Sequence, residues 1–181
     1  MKKVIYNGLT FEPYIKRDQI QGRIEELAGE ITAEYAGRRP LFLCVLNGAF
    51  PFASELFLNV ELDAEIAFVR LKSYEGTASS GVVKQMMGLS EDITGRPVII
   101  VEDIVDTGKT IKQLVSDLEA KNPAEVKIAT LLFKPESLQC DVKPDYVGFS
   151  IRPKFIIGYG LDLDGLARNL KDIYVLKESA D

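Results

Sequence analysis

The first regular feature of the chain is a series of apolar positions at helical spacing. They predict an amphipathic helix over about residues 17–37, with Gly37 and Pro40 marking its end. The run 41–46 that follows is continuously apolar, as expected for a strand buried on both faces of a parallel sheet. The apolar positions of the helix are Ile20, Ile24, Leu27, Ala28, Ile31 and Tyr35.

Helical and strand-like patterns continue to alternate along the chain. Helices are predicted at 51–58 and 110–120, and apolar strand-like segments at 64–71, 97–101, 126–133, 145–149, 155–160 and 173–176. This alternation predicts an α/β fold with a mostly parallel central sheet flanked by helices on both faces. No repeat or linker interrupts the pattern, so we expect a single domain over residues 1–181.

Residues 73–88 depart from this pattern. They combine glycines and serines with polar residues and show little periodicity. Loops of this length are usually either disordered or functional. We therefore expect a mobile flap at this place in the chain.

Composition and charge narrow the range of partners. Hydrophobic residues make up 46% and charged residues 27% of the chain, an ordinary globular balance. No apolar stretch approaches the roughly 20 residues that span a bilayer, and the first residues lack the apolar run of a signal peptide. We therefore expect a cytoplasmic protein with no membrane partner. The net charge of −5 argues weakly against nucleic acid as a partner.

The chain contains no histidine and two cysteines. Imidazole catalysis and the usual zinc sites are therefore excluded. Cys44 lies in an apolar run and Cys140 in a polar stretch, which does not suggest a disulfide framework. Acid–base and metal chemistry must rest on carboxylates, which favour hard cations such as Mg²⁺.

The stretch 98–110 has the most informative chemistry. An aliphatic strand runs into Glu102 and Asp103, and a short loop with Asp106 and Gly108 then leads to a helix. Ligands of open parallel sheets bind beyond the carboxyl ends of strands, and the N–H groups at a helix start suit a phosphate. Simple helix capping accounts for one of these acids but not for two in succession. The pattern favours a site for a phosphorylated sugar or a nucleotide.

This stretch resembles the phosphoribosyl-diphosphate motif of type I phosphoribosyltransferases: an aliphatic strand, Glu-Asp, two aliphatic residues, Asp-Thr-Gly and Thr. Further segments are similar, in the same order, to motifs of the hypoxanthine-guanine branch of that family. These are the pyrophosphate turn at 46–48, the start of the flap at 73–74, the strand end at 131–135 and the base-stacking segment at 155–162.

The resemblance implies a type I phosphoribosyltransferase fold with a small hood and a mobile flap. It also implies an Mg²⁺-dependent purine salvage enzyme. Such an enzyme transfers ribose 5-phosphate from phosphoribosyl diphosphate to N9 of hypoxanthine or guanine, giving IMP or GMP and pyrophosphate. Another base stays open as an alternative, chiefly xanthine and otherwise adenine, uracil or orotate. A non-catalytic sensor that keeps the sugar-phosphate pocket stays open as well. Assembly into a homodimer or homotetramer is implied as well.

The resemblance also assigns roles to residues on the sugar side. Glu102 and Asp103 are expected to hold the ribose hydroxyls, directly or through a metal, and Asp106 is the expected catalytic residue beside purine N7. The segment that holds the 5-phosphate comprises Asp106, Thr107, Gly108, Lys109 and Thr110. The implied metal ligands are Glu102, Asp103 and Asp162.

For the base, the resemblance implies a hydrogen bond from Lys134 to O6, stacking on Phe155, and contacts from the backbone carbonyls of Ile156 and Asp162. Without the resemblance, Lys134 would be interpreted as a solvated lysine and Phe155 as core. The flap residues Ser73 and Tyr74 are expected over the reaction centre.

For pyrophosphate, the resemblance implies binding by Leu46, Asn47, Gly48 and Arg168. Many relatives have a lysine or arginine where this chain has Asn47, which carries no charge. The backbone of the turn and Arg168 are then expected to hold more of the pyrophosphate. The resemblance further implies a cis peptide bond before Asn47.

Overall fold

The structure, a computed structural model, describes residues 2–72 and 84–177. In chain order its elements are β1 (Val4–Tyr6), β2 (Leu9–Ile15), α1 (Arg17–Glu34), β3 (Leu41–Leu46), α2 (Phe50–Asn59), β4 (Glu65–Lys72), β5 (Lys84–Met87), β6 (Pro97–Val105), α3 (Lys109–Glu119), β7 (Glu125–Phe133), a 3₁₀ turn (Pro135–Ser137), β8 (Tyr146–Ser150), β9 (Ile156–Ile157) and β10 (Ile173–Leu176).

The centre of the molecule is a six-stranded sheet with the order β5-β4-β3-β6-β7-β8. Every neighbouring pair in it is parallel except β4 and β5, which are antiparallel. The predicted α/β fold with a mostly parallel central sheet is confirmed.

Helices cover both faces of this sheet. On one face α1 and α2 share an apolar cluster with side chains of β3, β6 and β7, and on the other face α3 belongs to a separate cluster. Strand β3 contributes Phe42 and Cys44 to the first cluster, and Leu41, Leu43 and Val45 to the second. Because β3 is buried on both faces, its sequence is continuously apolar.

A second, antiparallel sheet has the strand order β1-β2-β10-β9. Strands β1 and β2 form a hairpin whose turn is Asn7-Gly8, with φ values of +48° and +76°. This sheet joins the start of the chain to its last strand and places Phe155 directly before β9. It is the hood that the resemblance implies, although no strand was predicted before residue 17.

Some predicted boundaries are wrong. Helix α1 ends at Glu34 rather than near residue 37, because residues 35–37 form a turn in which Gly37 has a φ of +73°. Strand β6 continues to Val105 instead of ending at residue 101, because it pairs with β7 up to Val105 and Phe133. The predicted flap at 73–88 contains strand β5, which pairs with β4. The rest of that flap, 73–83, lies outside the described residues.

In the part of the chain that the structure describes, no helix has the length and apolar character needed to cross a membrane.

Candidate functional site

The predicted site residues of the turn 46–48, of the stretch 102–110 and at Lys134 lie where three neighbouring strands of the central sheet end. Strand β3 leads into the turn 46–48, β6 into Asp106, and β7 into Lys134. Strand β6 lies between the other two and is parallel to both, so the three carboxyl ends lie side by side. This is the edge at which ligands of open α/β sheets bind.

The two adjacent carboxylates lie within strand β6. Glu102 is 9% exposed, and its Oε1 accepts a hydrogen bond of 3.0 Å from the Asp103 N–H. Burial raises the pKa of Glu102 well above its usual value, and the Asp103 charge adds to this. Burial also raises the pKa of Asp103, although the nearby positive charge of Arg168 opposes the shift. A bound cation or hydroxyl donors would stabilise the ionised forms of both carboxylates.

The turn after β3 packs directly against this carboxylate pair. The Leu46–Asn47 peptide bond is cis, as the resemblance implies. A Cβ atom on Gly48 would overlap Oδ2 of Asp103, so the backbone approaches the carboxylate more closely than any side chain permits. A Cβ on Gly160 would in turn overlap the carbonyl oxygen of Gly48. The turn 46–48 is therefore held between Asp103 and the loop at Gly160.

A small cavity follows strand β6 in the loop before α3. It has a volume of about 110 Å³ and is lined by backbone and side chains from both strand and helix. Gly108, at the N-cap of α3, has a φ of +79°, which favours glycine. The N–H groups of the first helical turn are available to an anion here. The lining residues are Glu102, Ile104, Val105, Asp106, Thr107, Gly108, Thr110 and Ile111.

Lys134 and Asp106 form an ion pair across the ends of β7 and β6. The Lys134 Nζ donates to Asp106 Oδ2 at 2.8 Å, and the Lys134 N–H donates to the carbonyl oxygen of Val105 at 2.9 Å. Lys134 is only 8% exposed, so the interpretation as a solvated lysine is wrong. Asp106, by contrast, is nearly half exposed and accessible to a ligand.

Arg168 contacts two residues of the loop 158–165. Its Nη1 donates to the Gly160 carbonyl at 2.7 Å, and its Nη2 pairs with Asp162 Oδ1 at 2.8 Å. The other oxygen of Asp162 accepts a hydrogen bond of 2.7 Å from the Gly165 N–H. Both carboxylate oxygens of Asp162 therefore have protein partners.

Phe155 directly precedes strand β9 of the second sheet, and its ring is exposed to solvent. It is 47% exposed, so the core interpretation is wrong. Its ring centroid is 6.1 Å from that of the buried Phe11, with an angle of 45° between the rings. The Phe155 carbonyl accepts a hydrogen bond of 2.9 Å from the Leu176 N–H, and Ile156 is buried next to it. The exposed face of Phe155 is free to stack on a planar ligand.

The predicted metal ligands are only partly brought together. Within residues 2–72 and 84–177, no group of three or more acidic or cysteine side chains forms a metal site. Glu102 and Asp103 are adjacent oxygen donors whose charges are poorly solvated, which suits a hard cation that takes further oxygens from a substrate. Asp162 is held by Arg168 and Gly165 instead. The flap residues Ser73 and Tyr74 lie outside the described residues.

Sequence patterns alone do not indicate the close contacts of Gly160 and Cys140. Gly160 contacts the turn at Gly48, and Cys140 contacts the loop at Thr107 and Gly108. These contacts join segments far apart in the chain, and no periodic pattern reports them. The only local signal is the glycine content of 158–165.

The chain is similar to known proteins over most of its length. The phosphoribosyl transferase domain family matches residues 16–164. The hypoxanthine-guanine phosphoribosyltransferase of Streptococcus pneumoniae R6 is 42% identical over 165 residues, which cover 91% of this chain and 92% of that protein. The Lactococcus lactis enzyme of the same name is 43% identical over 164 residues, covering 90% and 89%. The structure of a hypoxanthine phosphoribosyltransferase from Staphylococcus aureus has a TM-score of 0.88 at 34% identity and covers 98% of each chain.

Proposed function

Since the chain belongs to the phosphoribosyl transferase family, and within it to the hypoxanthine-guanine phosphoribosyltransferases, we propose that it transfers ribose 5-phosphate from phosphoribosyl diphosphate to hypoxanthine or guanine. A bond forms between purine N9 and C1′ of the ribose as the bond from C1′ to pyrophosphate breaks. The base gives up a proton, and IMP or GMP and pyrophosphate are the products. The observation that carries this proposal is the pairing of Asp106 with the buried Lys134 at the ends of β6 and β7.

The donor sugar binds along the end of β6 in this proposal. Glu102 and Asp103 accept hydrogen bonds from the ribose hydroxyls, which offsets the cost of burying their charges. The 5-phosphate occupies the cavity beside Thr107 and Gly108, where the first N–H groups of α3 and the hydroxyl of Thr110 donate to it. The backbone of Lys109 belongs to the same helix start.

The purine base binds between Lys134 and Phe155. Lys134 donates to O6 of a 6-oxopurine, whereas the amino group of adenine would place a donor against a donor. Phe155 stacks on the ring, and the carbonyls of Ile156 and Asp162 accept from the edge of the base. Asp106 lies beside N7 and stabilises the positive charge that develops as the base attacks, or accepts its proton.

Pyrophosphate binds to the turn 46–48 and to Arg168. A guanidinium group has five N–H donors, more than its two contacts with Gly160 and Asp162 use. Its remaining donors can bind an oxygen of the leaving group. Asn47 contributes no charge, so the backbone N–H groups of the turn supply the other contacts.

Mg²⁺ fits this site through the oxygens of Glu102 and Asp103, together with those of the substrate. When bound, it supplies positive charge that neutralises the diphosphate. Asp162 would join the metal ligands through a change of partner from Arg168. Ser73 and Tyr74 cover the reaction centre in this proposal and exclude the water that would otherwise hydrolyse the activated sugar.

Assembly into a homodimer or homotetramer is part of the same proposal. In helix α2, which follows the turn 46–48, Phe50 is about half exposed and Leu58 is largely exposed, whereas Phe52 is fully buried in the core. Phe50 and Leu58 therefore offer apolar surface for a second copy, and Phe52 does not. Light scattering on the purified protein measures the molar mass of the assembly. A monomeric mass would contradict the proposed dimer or tetramer.

Nucleotide formation from separate bases tests the proposed function. Purified protein receives Mg²⁺, phosphoribosyl diphosphate and one of hypoxanthine, guanine, xanthine or adenine. Turnover is expected with hypoxanthine or guanine, and Asp106→Ala is expected to reduce it at least about tenfold. Turnover with xanthine would extend the range of bases. Binding of phosphoribosyl diphosphate without turnover of any base would instead indicate a sensor.

A further inference from the structure

The segment 138–142, which follows the 3₁₀ turn, packs behind the loop that connects β6 to α3. The Gln139 N–H donates to the carbonyl oxygen of Thr107 at 3.0 Å. The thiol of Cys140 lies 3.5 Å from the same oxygen, a weak donor contact. Thr107 lines the small cavity at the end of β6. The segment therefore contacts the back of a loop whose front faces the cavity.

Gly108 is enclosed from this side. A Cβ atom on Gly108 would lie 2.9 Å from Cys140 Sγ and 3.0 Å from Leu138 Cδ2, with Val142 Cβ at 3.7 Å. These distances leave no room for a β-carbon on Gly108. The side chains of Leu138 and Cys140 therefore line the side of the loop on which that β-carbon would lie.

The same segment is tied to the end of β7. The Lys134 N–H donates to the carbonyl of Val105, and the Ser137 N–H donates to the carbonyl of Lys134 at 3.0 Å. Successive backbone contacts thus run from Val105 through the 3₁₀ turn to Thr107. The loop of the cavity is held at both ends by one neighbouring stretch of chain.

We propose that Leu138 and Cys140 are positioning residues for the 5-phosphate. They act through Gly108 and Thr107 and do not touch the ligand. Displacement of the loop by a fraction of an ångström moves the N–H groups that bind phosphate, which weakens charge-assisted hydrogen bonds. The proposal rests on the proposed function for the identity of the ligand, but the geometry concerns only the phosphate end.

Ligands with and without phosphate separate positioning from ordinary packing. Substitution of a residue that only supports the fold changes the affinities for nucleotide and nucleoside alike. A residue that positions the phosphate loop affects GMP and ribose 5-phosphate and spares guanosine, which has no phosphate. Isothermal titration of the full chain with all three ligands measures this difference, and the melting temperature is recorded for each variant.

The central variant is Cys140→Leu, which adds side-chain volume against Gly108, where a β-carbon on the glycine would already lie 2.9 Å from the Cys140 sulfur. We expect it to lower the affinity for GMP and for ribose 5-phosphate at least about tenfold, equivalent to the loss of one charge-assisted hydrogen bond. The affinity for guanosine should stay the same within about twofold. Leu138→Ala, which removes the support without overpacking, is expected to have the same phosphate-specific effect. Cys140→Ser, similar in size, should bind all three ligands as the wild type does. Asp141→Leu places the same new side chain at the exposed neighbouring position and serves as the control.

Two results would overturn the proposal. One is an equal loss of GMP and guanosine affinity in both Leu138→Ala and Cys140→Leu, and the other is unchanged phosphate binding in both. Failure of the proposed function looks different. The wild type would then bind ribose 5-phosphate but neither GMP nor guanosine, and ribose 5-phosphate alone would decide the positioning role.

Discussion

At the scale of single residues, the site depends on contacts that only a hydrogen side chain permits. Gly48 meets Asp103, and Gly160 meets the carbonyl of Gly48, each at a separation that a Cβ would close. Glycine at these positions lets the turn after β3 approach Asp103 and lets the loop at Gly160 approach that turn. The position of the turn 46–48 therefore depends on the absence of a side chain at Gly48 and Gly160.

Gly48→Ala tests this contact. The new Cβ overlaps Asp103 Oδ2, so the carboxylate or the turn must move, and we expect kcat/KM for phosphoribosyl diphosphate to fall at least about tenfold. Gly29→Ala is the matched control, because Gly29 lies in α1 with nothing within 4 Å of its Cβ position. That control should keep full activity and melt at the same or a higher temperature, since alanine favours helix. Equal activity of the two variants would contradict the account.

Lys134→Met tests how the base is selected. Loss of the ammonium removes the proposed hydrogen bond to O6 and leaves Asp106 without its ion-pair partner. We expect kcat/KM for hypoxanthine to fall about 10- to 100-fold, in line with one hydrogen bond to a charged group. The value of kcat/KM for adenine, which has no O6, should change little. The ratio of kcat/KM for hypoxanthine to that for adenine therefore falls. Lys143→Met, at an exposed position, is the control, and an equal loss with both bases would count against this role.

At the scale of elements, the sequence predicted the central sheet well. The bounds of β3 and β10 are those of the apolar runs 41–46 and 173–176. Continuous burial leaves a strong local signal, which is why these strands are visible in the sequence. Strand β5 left no such signal, since it has two polar residues in four and forms by pairing with β4.

The hairpin of the second sheet was missed although its signal was present. Asn7-Gly8 between apolar residues is the dipeptide that two-residue hairpin turns prefer. The predicted end of β6 at residue 101 was wrong because the apolar run stops there, whereas the strand continues through Glu102 and Asp103. In the structure they are strand residues, and their burial follows from that.

The site residues were predicted by resemblance more than by pattern. The structure brings Glu102, Asp103, Asp106 and Lys134 to one edge of the sheet, and their assigned roles stay predictions. The pairing of Asp162 with Arg168 could not be predicted, because it depends on how the loop 158–165 folds back on itself. The support of the phosphate loop by Leu138 and Cys140 is equally non-local.

The buried position of Glu102 in β6 has a consequence for stability. Its folded pKa is raised above the usual 4.5, so above that pH the folded protein binds more protons than the unfolded chain. Stability without ligand therefore falls as pH rises through the folded pKa. Glu102→Gln cannot ionise and avoids this loss.

Thermal unfolding without Mg²⁺ or substrates measures the effect. We expect the melting temperature of Glu102→Gln to exceed that of the wild type by a margin that grows from about pH 5 to about pH 8. The exposed Glu136→Gln should show no such trend. A margin that stays constant over this range would contradict the buried, poorly solvated carboxylate.

At the scale of the whole molecule, the two sheets divide the proposed substrates between them. Glu102 and Asp103 lie in the central sheet and Lys134 directly follows its strand β7, whereas Phe155 directly precedes strand β9 of the second sheet. In the proposed function the base binds where the two meet, with its edge on Lys134 and its face on Phe155. The first hairpin and the last strand are therefore needed for the base, even though the donor site lies elsewhere.

The most direct test of the account is the ratio of products from hypoxanthine and phosphoribosyl diphosphate. Mass spectrometry identifies the nucleotide, and a coupled assay counts pyrophosphate in the same sample. Our account predicts IMP and pyrophosphate in equal amounts. Pyrophosphate with free ribose 5-phosphate and no IMP, or bound phosphoribosyl diphosphate with no product at all, would contradict it.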